Sequence, residues 1–364
     1  MRRENIKKGL AALGVLSLLS LSGCGMVRDL MASEEPVINS VEELHRQVES
    51  ALKEGQQEVS FVTETLTQDD FDALNEEHDG FYGSVTSYEM KTIEVLGQSY
   101  VTLSCEISDN YYVEEAAFGQ AEIPEDRTRA AELLAVCEEI LGKIDADASD
   151  YQKEKKIHDY LVRHVAYGYP EGRESDDSMG YHAYGALVQG KAVCNGYAQA
   201  MKLLCDLAGV ECSLITGRAD GENHAWNLVC LDDEWYHVDV TWNDPEPDDP
   251  ERLLYSYFNL DDTQMKESHI WDAEEFVPAE GTRYHYYRKN DLYCADMDAF
   301  EEKCEEIFAD ASPDSVQVMV GDYDKSRYTE ENLQFIFESS GARSVHLQTI
   351  GKAPYTTLYF TLDY

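Results

Sequence analysis

The stretch GKAVCNGYAQAMKLLC at residues 190–205 decides how this chain is read. Cys194 stands just before apolar residues at helical spacing, Ala198, Met201, Leu204, Cys205 and Ala208, and Gly209 follows as a C-terminal cap. A thiol at a helix N-terminus meets the positive end of the helix dipole and backbone N–H groups without intrahelical partners, both of which favour thiolate. A buried structural role is the commoner fate of any one cysteine, so the helix alone decides nothing. Further along, VECSLITG at 210–217 reads as a strand, and GENHAWNLV at 221–229 opens a second strand at His224. WYHVDVTWNDP at 235–245 then returns antiparallel as far as Trp242. With Asp232-Asp233 as a two-residue turn, Leu231 faces Glu234, and Asp239 falls opposite Trp226 and diagonal to His224 on the same face. A diagonal pair lies about 7–8 Å apart at the backbone, within reach of a carboxylate–imidazole hydrogen bond.

Cysteine, histidine and aspartate in this arrangement meet the needs of an activated nucleophile: a thiolate, a base that keeps it ionised and a group that fixes the base's tautomer. Together with KIHDYLVRHVAYGY at 156–169, HAYGAL at 182–187 and YFNLDDTQMKESHIW at 257–271, these words resemble the transglutaminase-like superfamily over roughly residues 125–275. The likeness is to its bacterial and fungal peptidase-like branch rather than to the large calcium-dependent animal enzymes. The resemblance implies an α+β fold: a papain-like core with the cysteine at a helix N-terminus, packed on an antiparallel sheet. It also implies Cys194 as nucleophile, His224 as base and Asp239 as its partner, forming a thioester from an amide. Passing the acyl group to water gives a peptidase or deamidase, and passing it to an amine gives an acyltransferase; composition and spacing do not choose between them.

Other residues near the triad carry weaker signals. His237 shares the face of Asp239 by parity and is a second contender for the base, but it lies nearer the turn. Gln189, five residues before Cys194, invites an oxyanion role, yet its position reads as a turn and the Cys194 backbone N–H is the better donor. Asn195, Trp226 and Trp242 complete the set of cleft or oxyanion neighbours, although strand tryptophans are more often core. His158, His164 and His182 read as structural hydrogen-bonding residues. The acidic run Asp244 to Asp249 lacks the central glycine and terminal glutamate of a calcium loop. No Cys-x-x-Cys pair and no glycine-rich phosphate loop occurs, so the expectation is catalysis without metal or cofactor.

The whole chain bounds these readings. With 364 residues and 43% hydrophobic content it can build two or three packed domains. Its 29 basic against 72 acidic residues give a net charge of −43, which excludes a nucleic-acid partner. MRRENIKK followed by GLAALGVLSLLSL reads as a secretory signal, and Leu21-Ser22-Gly23-Cys24 resembles a bacterial lipobox, making Cys24 the expected lipidated N-terminus. The expected location is therefore the extracytoplasmic face of a bacterial cell membrane, held there by lipid. Seven cysteines besides Cys24 and Cys194 are scattered through apolar stretches, an odd number that speaks for buried thiols over a complete disulfide framework. The expected domains are a signal peptide at 1–24, a tether at 25–39, an α+β module at 40–115, the catalytic domain at 122–278 and a second α+β module at 290–364. Both modules read α-β-α-β-β, as a divergent repeat of one another. The functional expectation is an enzyme acting on protein or cell-wall peptide amides. Its rival is an inactive surface scaffold whose flanking modules do the binding.

Overall fold

A computed structural model describes residues 35–53, 56–67, 85–95, 98–175, 178–244, 249–274 and 276–364. The signal segment, Cys24 and the helix expected after Thr67 lie outside the described residues. No helix among the described residues is long and apolar enough to cross a membrane. The architecture is α+β with antiparallel sheets, and the chain divides into two compact units, Met1–Val136 with Ser175–Asp177, and Cys137–Glu174 with Ser178–Tyr364.

The first unit begins with α1 (Val41–Lys53), whose Leu44, Val48 and Ala51 recur on one face and are buried. Strands β1 (Glu58–Thr63), β2 (Val85–Val95) and β3 (Gln98–Ile107) form an antiparallel sheet in the order β1-β3-β2. Alternate residues Val101, Leu103, Cys105 and Ile107 of β3 point into one core with Phe61. The helix α2 (Asp109–Ala117) follows, its first turn held by the Ser108 hydroxyl, which accepts the Tyr111 N–H at 3.1 Å. The boundary between the units falls inside α3 (Thr128–Leu141).

The second unit opens with α4 (Asp150–His164), started by a reciprocal capping box between Ser149 and Gln152. Strand β4 (Ala166–Tyr167), α5 (Ala183–Leu187), β5 (Lys191–Ala192) and α6 (Cys194–Ala208) follow, with β4 and β5 pairing in parallel. Helix α6 ends at Gly209 in the left-handed conformation (φ 73°), as the sequence leads one to expect. Strands β6 (Cys212–Ala219), β7 (Glu222–Leu231), β8 (Glu234–Val238), β9 (Phe258–Leu260) and β10 (His269–Ile270) make an antiparallel sheet in the order β10-β6-β7-β8-β9. The β7–β8 register is the one the turn implies: Leu231 faces Glu234, and Asp232 and Asp233 both have positive φ (52° and 62°). The expected extension of β8 to Trp242 does not occur. The strand ends at Val238 and Val240–Asn243 form the helical turn α7, because the Asp239 side chain caps it by accepting the Trp242 N–H at 3.1 Å.

Beyond α8 (Asp262–Met265) and α9 (Tyr286–Lys289), the chain adds β11 (Tyr293–Cys294), α10 (Met297–Asp310), β12 (Ser315–Val320), α11 (Gln334–Ser340), β13 (Ser344–Lys352) and β14 (Tyr355–Asp363). The sheet order β11-β12-β14-β13 places the last strand between the two before it, as β3 lies between β1 and β2 in the first unit. The helix expected from Thr329 starts at Gln334; Thr329 instead holds a turn by accepting the Asn332 N–H at 3.3 Å. The eight described cysteines are unbridged, and six are buried: Cys105 in the core of the first unit, Cys294 and Cys304 in the C-terminal core, and Cys137, Cys205 and Cys212 elsewhere in the second unit.

Candidate functional site

Cys194 is the first residue of α6, and Val193 before it offers no side-chain cap to the helix's first N–H groups. Two close approaches fix this helix end. Val193 N–H donates to Gly180 O at 3.0 Å, and a Cβ on Gly196 would sit 2.4 Å from that same carbonyl, so only glycine fits there. Asn195 is buried and donates its amide to Tyr181 O at 2.9 Å, which ties it to the preceding loop. Gln189 is exposed in the turn before β5.

His224 reaches the site from β7. Opposite it on β6 lies Gly217, where a Cβ would come within 2.3 Å of Ile270 O and 2.8 Å of the Trp226 ring, so this glycine lets β10 and the indole close in. The His224 Nε2–H donates to Asp239 Oδ2 at 2.7 Å, and Cys194 lies near enough to the same imidazole to act on its charge. Asp239 is fully buried and takes two further donors, His269 Nε2–H on Oδ2 at 3.0 Å and the Trp242 N–H on Oδ1. His224 and His269 thus share the Asp239 carboxylate, and His224 also faces the Cys194 end of α6.

The electrostatics follow from this packing. Burial works against a charged imidazole at His224, but the Asp239 carboxylate and then Cys194 outweigh it and push His224 up to about 10. Burial likewise opposes the Asp239 charge, yet His224 and His269 hold the carboxyl well below the usual range. An imidazolium beside sulfur at a helix N-terminus is the partner a thiolate nucleophile needs.

His237 belongs elsewhere. Its Nδ1 accepts the Trp226 indole N–H at 3.0 Å and its Nε2–H donates to Asp262 at 3.0 Å, so both nitrogens are committed away from the sulfur. Trp226 is core, whereas half-buried Trp242 packs on His224 (ring centroids 5.7 Å apart) and on His269 (4.6 Å). His158 donates to Asp159 at 3.1 Å and accepts from Asn243 at 3.0 Å, and the His164 ring donates to Tyr160 O at 2.8 Å. The run after Asp244 lies largely outside the described residues.

Sequence reasoning passed over His269. It lies within a quoted word, but β10 is two residues long and shows no alternation that could place a side chain on a face. His224, Asp239 and His269 are also the group that could hold a metal ion, their donor atoms lying within 4.8 Å of one another. The fit is poor. Ligands of one zinc ion stand about 3.3 Å apart, given bonds of about 2.0–2.1 Å at tetrahedral angles. The contacts of 2.7 and 3.0 Å to a single Asp239 oxygen are instead those of two imidazole N–H donors sharing an acceptor.

Among known proteins, the kyphoscoliosis peptidases of mouse and human are each 29% identical to this chain over 106 residues, a match spanning 26% of this chain and 16% of each relative. A crystal structure of a transglutaminase (TGase) aligns at 15% identity, covering 57% of this chain and 60% of that one, with a TM-score of 0.27. LapG of Legionella pneumophila aligns at 15% identity over 50% of this chain and 94% of its own, with a TM-score of 0.26. Over residues 136–240, the stretch that carries Cys194, His224 and Asp239, the chain matches the family model of the transglutaminase-like superfamily.

Proposed function

We propose that this protein is a cysteine enzyme acting on amide bonds of proteins or cell-wall peptides, with Cys194, His224 and Asp239 as its catalytic triad. The observation that supports the reading is the His224–Asp239 hydrogen bond of 2.7 Å, with Cys194 at the start of α6 acting on the same imidazole. With the thiol proton resting on His224, the Cys194 sulfur attacks the amide carbonyl carbon. The C–N bond breaks as His224 gives that proton to the departing amine, leaving a thioester on Cys194. Water or a primary amine then adds to the thioester, His224 takes up its proton and the C–S bond breaks. Asp239 keeps the imidazole in the tautomer that turns Nδ1 to sulfur, because its acceptor-only carboxylate demands a proton on Nε2. The peptidase named among the relatives favours water as the acceptor. We place the enzyme outside the cytoplasmic membrane, anchored through a lipidated Cys24, and read the flanking modules as a divergent repeat.

The test uses an electrophile, since no substrate is required. Iodoacetamide at pH 6.5 should modify Cys194 ahead of the other thiols, and His224→Ala or Asp239→Ala should slow that reaction. With a peptide substrate in hand, Cys194→Ala should abolish turnover, and His224→Ala should reduce it by about 10²- to 10⁴-fold. Turnover surviving in Cys194→Ala would overturn the assignment.

A further inference from the structure

We infer that His269 is a positioning residue for the triad: it takes one side of the Asp239 carboxylate so that the other side stays aimed at His224. The inference rests on the triad reading above. Asp239 Oδ2 has two in-plane acceptor directions, and two imidazoles occupy them, His224 at 2.7 Å and His269 at 3.0 Å. The remaining oxygen holds the Trp242 N–H, so turning the carboxylate away from His224 breaks three hydrogen bonds at once. His269 is itself held on every side. Its ring is enclosed by Trp226, Trp242 and Tyr257, with centroids 4.9, 4.6 and 5.7 Å away, and the Ser268 hydroxyl lies 2.7 Å from Nδ1. Its backbone is fixed by pairing of His269 with Ala219 on β6. The titratable groups facing it are Asp239, His224, His237 and Tyr257, with Cys194 one contact further on through His224.

An ionised Asp239 can only accept, so His269 must carry its proton on Nε2, and a Ser268 hydroxyl donating to Nδ1 supports that tautomer. Without His269, one buried acceptor direction of Asp239 is left empty and the carboxylate gains a rotation that breaks its grip on His224. The loosened carboxylate supplies less counter-charge to His224, which lowers the pH at which the imidazolium gives up its proton.

The experiment is the pH profile of iodoacetamide alkylation at Cys194, followed by peptide mass spectrometry from pH 5 to 10 in the wild-type protein, His224→Ala, His269→Ala and His269→Gln. His269→Ala should alkylate about tenfold more slowly at pH 7, the order expected of one charge-assisted hydrogen bond, with its basic limb displaced to lower pH. His269→Gln, whose amide keeps a donor, should recover most of the rate. In the wild-type protein, imidazole nitrogen NMR shifts at pH 8 should show His269 protonated on Nε2, a measurement that does not depend on any variant folding. An unprotonated Nε2, or an unmoved profile in a folded His269→Ala protein whose His224→Ala counterpart is slowed, would overturn the inference and leave the triad standing. If His224→Ala also leaves the profile unmoved, the triad reading itself fails.

Discussion

Glu154 is fully buried on α4 and makes one side-chain hydrogen bond, from the Asn259 amide to Oε2 at 3.0 Å; its Oε1 has no partner. Burial dominates over that bond and pushes the carboxyl up to about 8. The folded value lies above the unfolded one, so between roughly pH 4.5 and 8 the native state holds a proton that the unfolded chain releases. Stability from this group is therefore full below pH 4.5 and is lost as pH rises toward 8, with a slope of up to about 1.4 kcal/mol per pH unit. His224, raised to about 10, acts in the same direction from about pH 6.5 upward. Buried His158, His237 and His285, whose values burial lowers, act the other way only below about pH 6.5. Urea midpoints measured from pH 7 to 9 should therefore fall with pH, and Glu154→Gln should flatten the part of that fall below pH 8; an unchanged slope would contradict the account. Residue-scale chemistry was also where the sequence was uneven. His224 and Asp239 could be paired because a two-residue turn sets a parity, whereas His269 arrives on a strand too short to have one.

Among the elements, α6 and the β7–β8 hairpin were legible because each carries local signals that agree: an apolar stripe ended by Gly209, and two aspartates at the positive-φ turn. The end of β8 was not, since WYHVDVTW has the composition of a strand throughout and only the capping bond of Asp239 to Trp242 stops it. The helix start makes a sharper prediction. An added methyl at Gly196 would lie 2.4 Å from Gly180 O and 2.8 Å from Ala192 Cβ, backbone and strand atoms that cannot swing aside. Gly196→Ala should cost about 2 kcal/mol in denaturant unfolding and slow Cys194 alkylation even where the protein stays folded, because the first turn of α6 must move. Ser149→Ala, which removes the capping box of α4 far along the chain from Cys194, should cost about 1 kcal/mol and leave alkylation unchanged.

At the scale of the molecule, a net charge of −43 makes self-repulsion a general term. Thermal midpoints should rise between 10 and 500 mM potassium chloride as the screening length falls from about 30 Å to under 5 Å; a salt-independent midpoint would show that the local ion pairs already neutralise the field. Composition disclosed this charge, but not how residues as far apart as Cys194 and His269 converge, because that depends on β10 returning to the far edge of the sheet beside β6. The six buried thiols have a use of their own. They are spread through both units, and burial raises Cys105 and Cys294 to about 11 and Cys137 to about 12, so while folded they are shut away from reagents. Each is therefore a clock fixed at a known address. A brief pulse of a thiol reagent, given at increasing times after a jump into denaturant and read peptide by peptide, would record the order in which the parts of the chain come open.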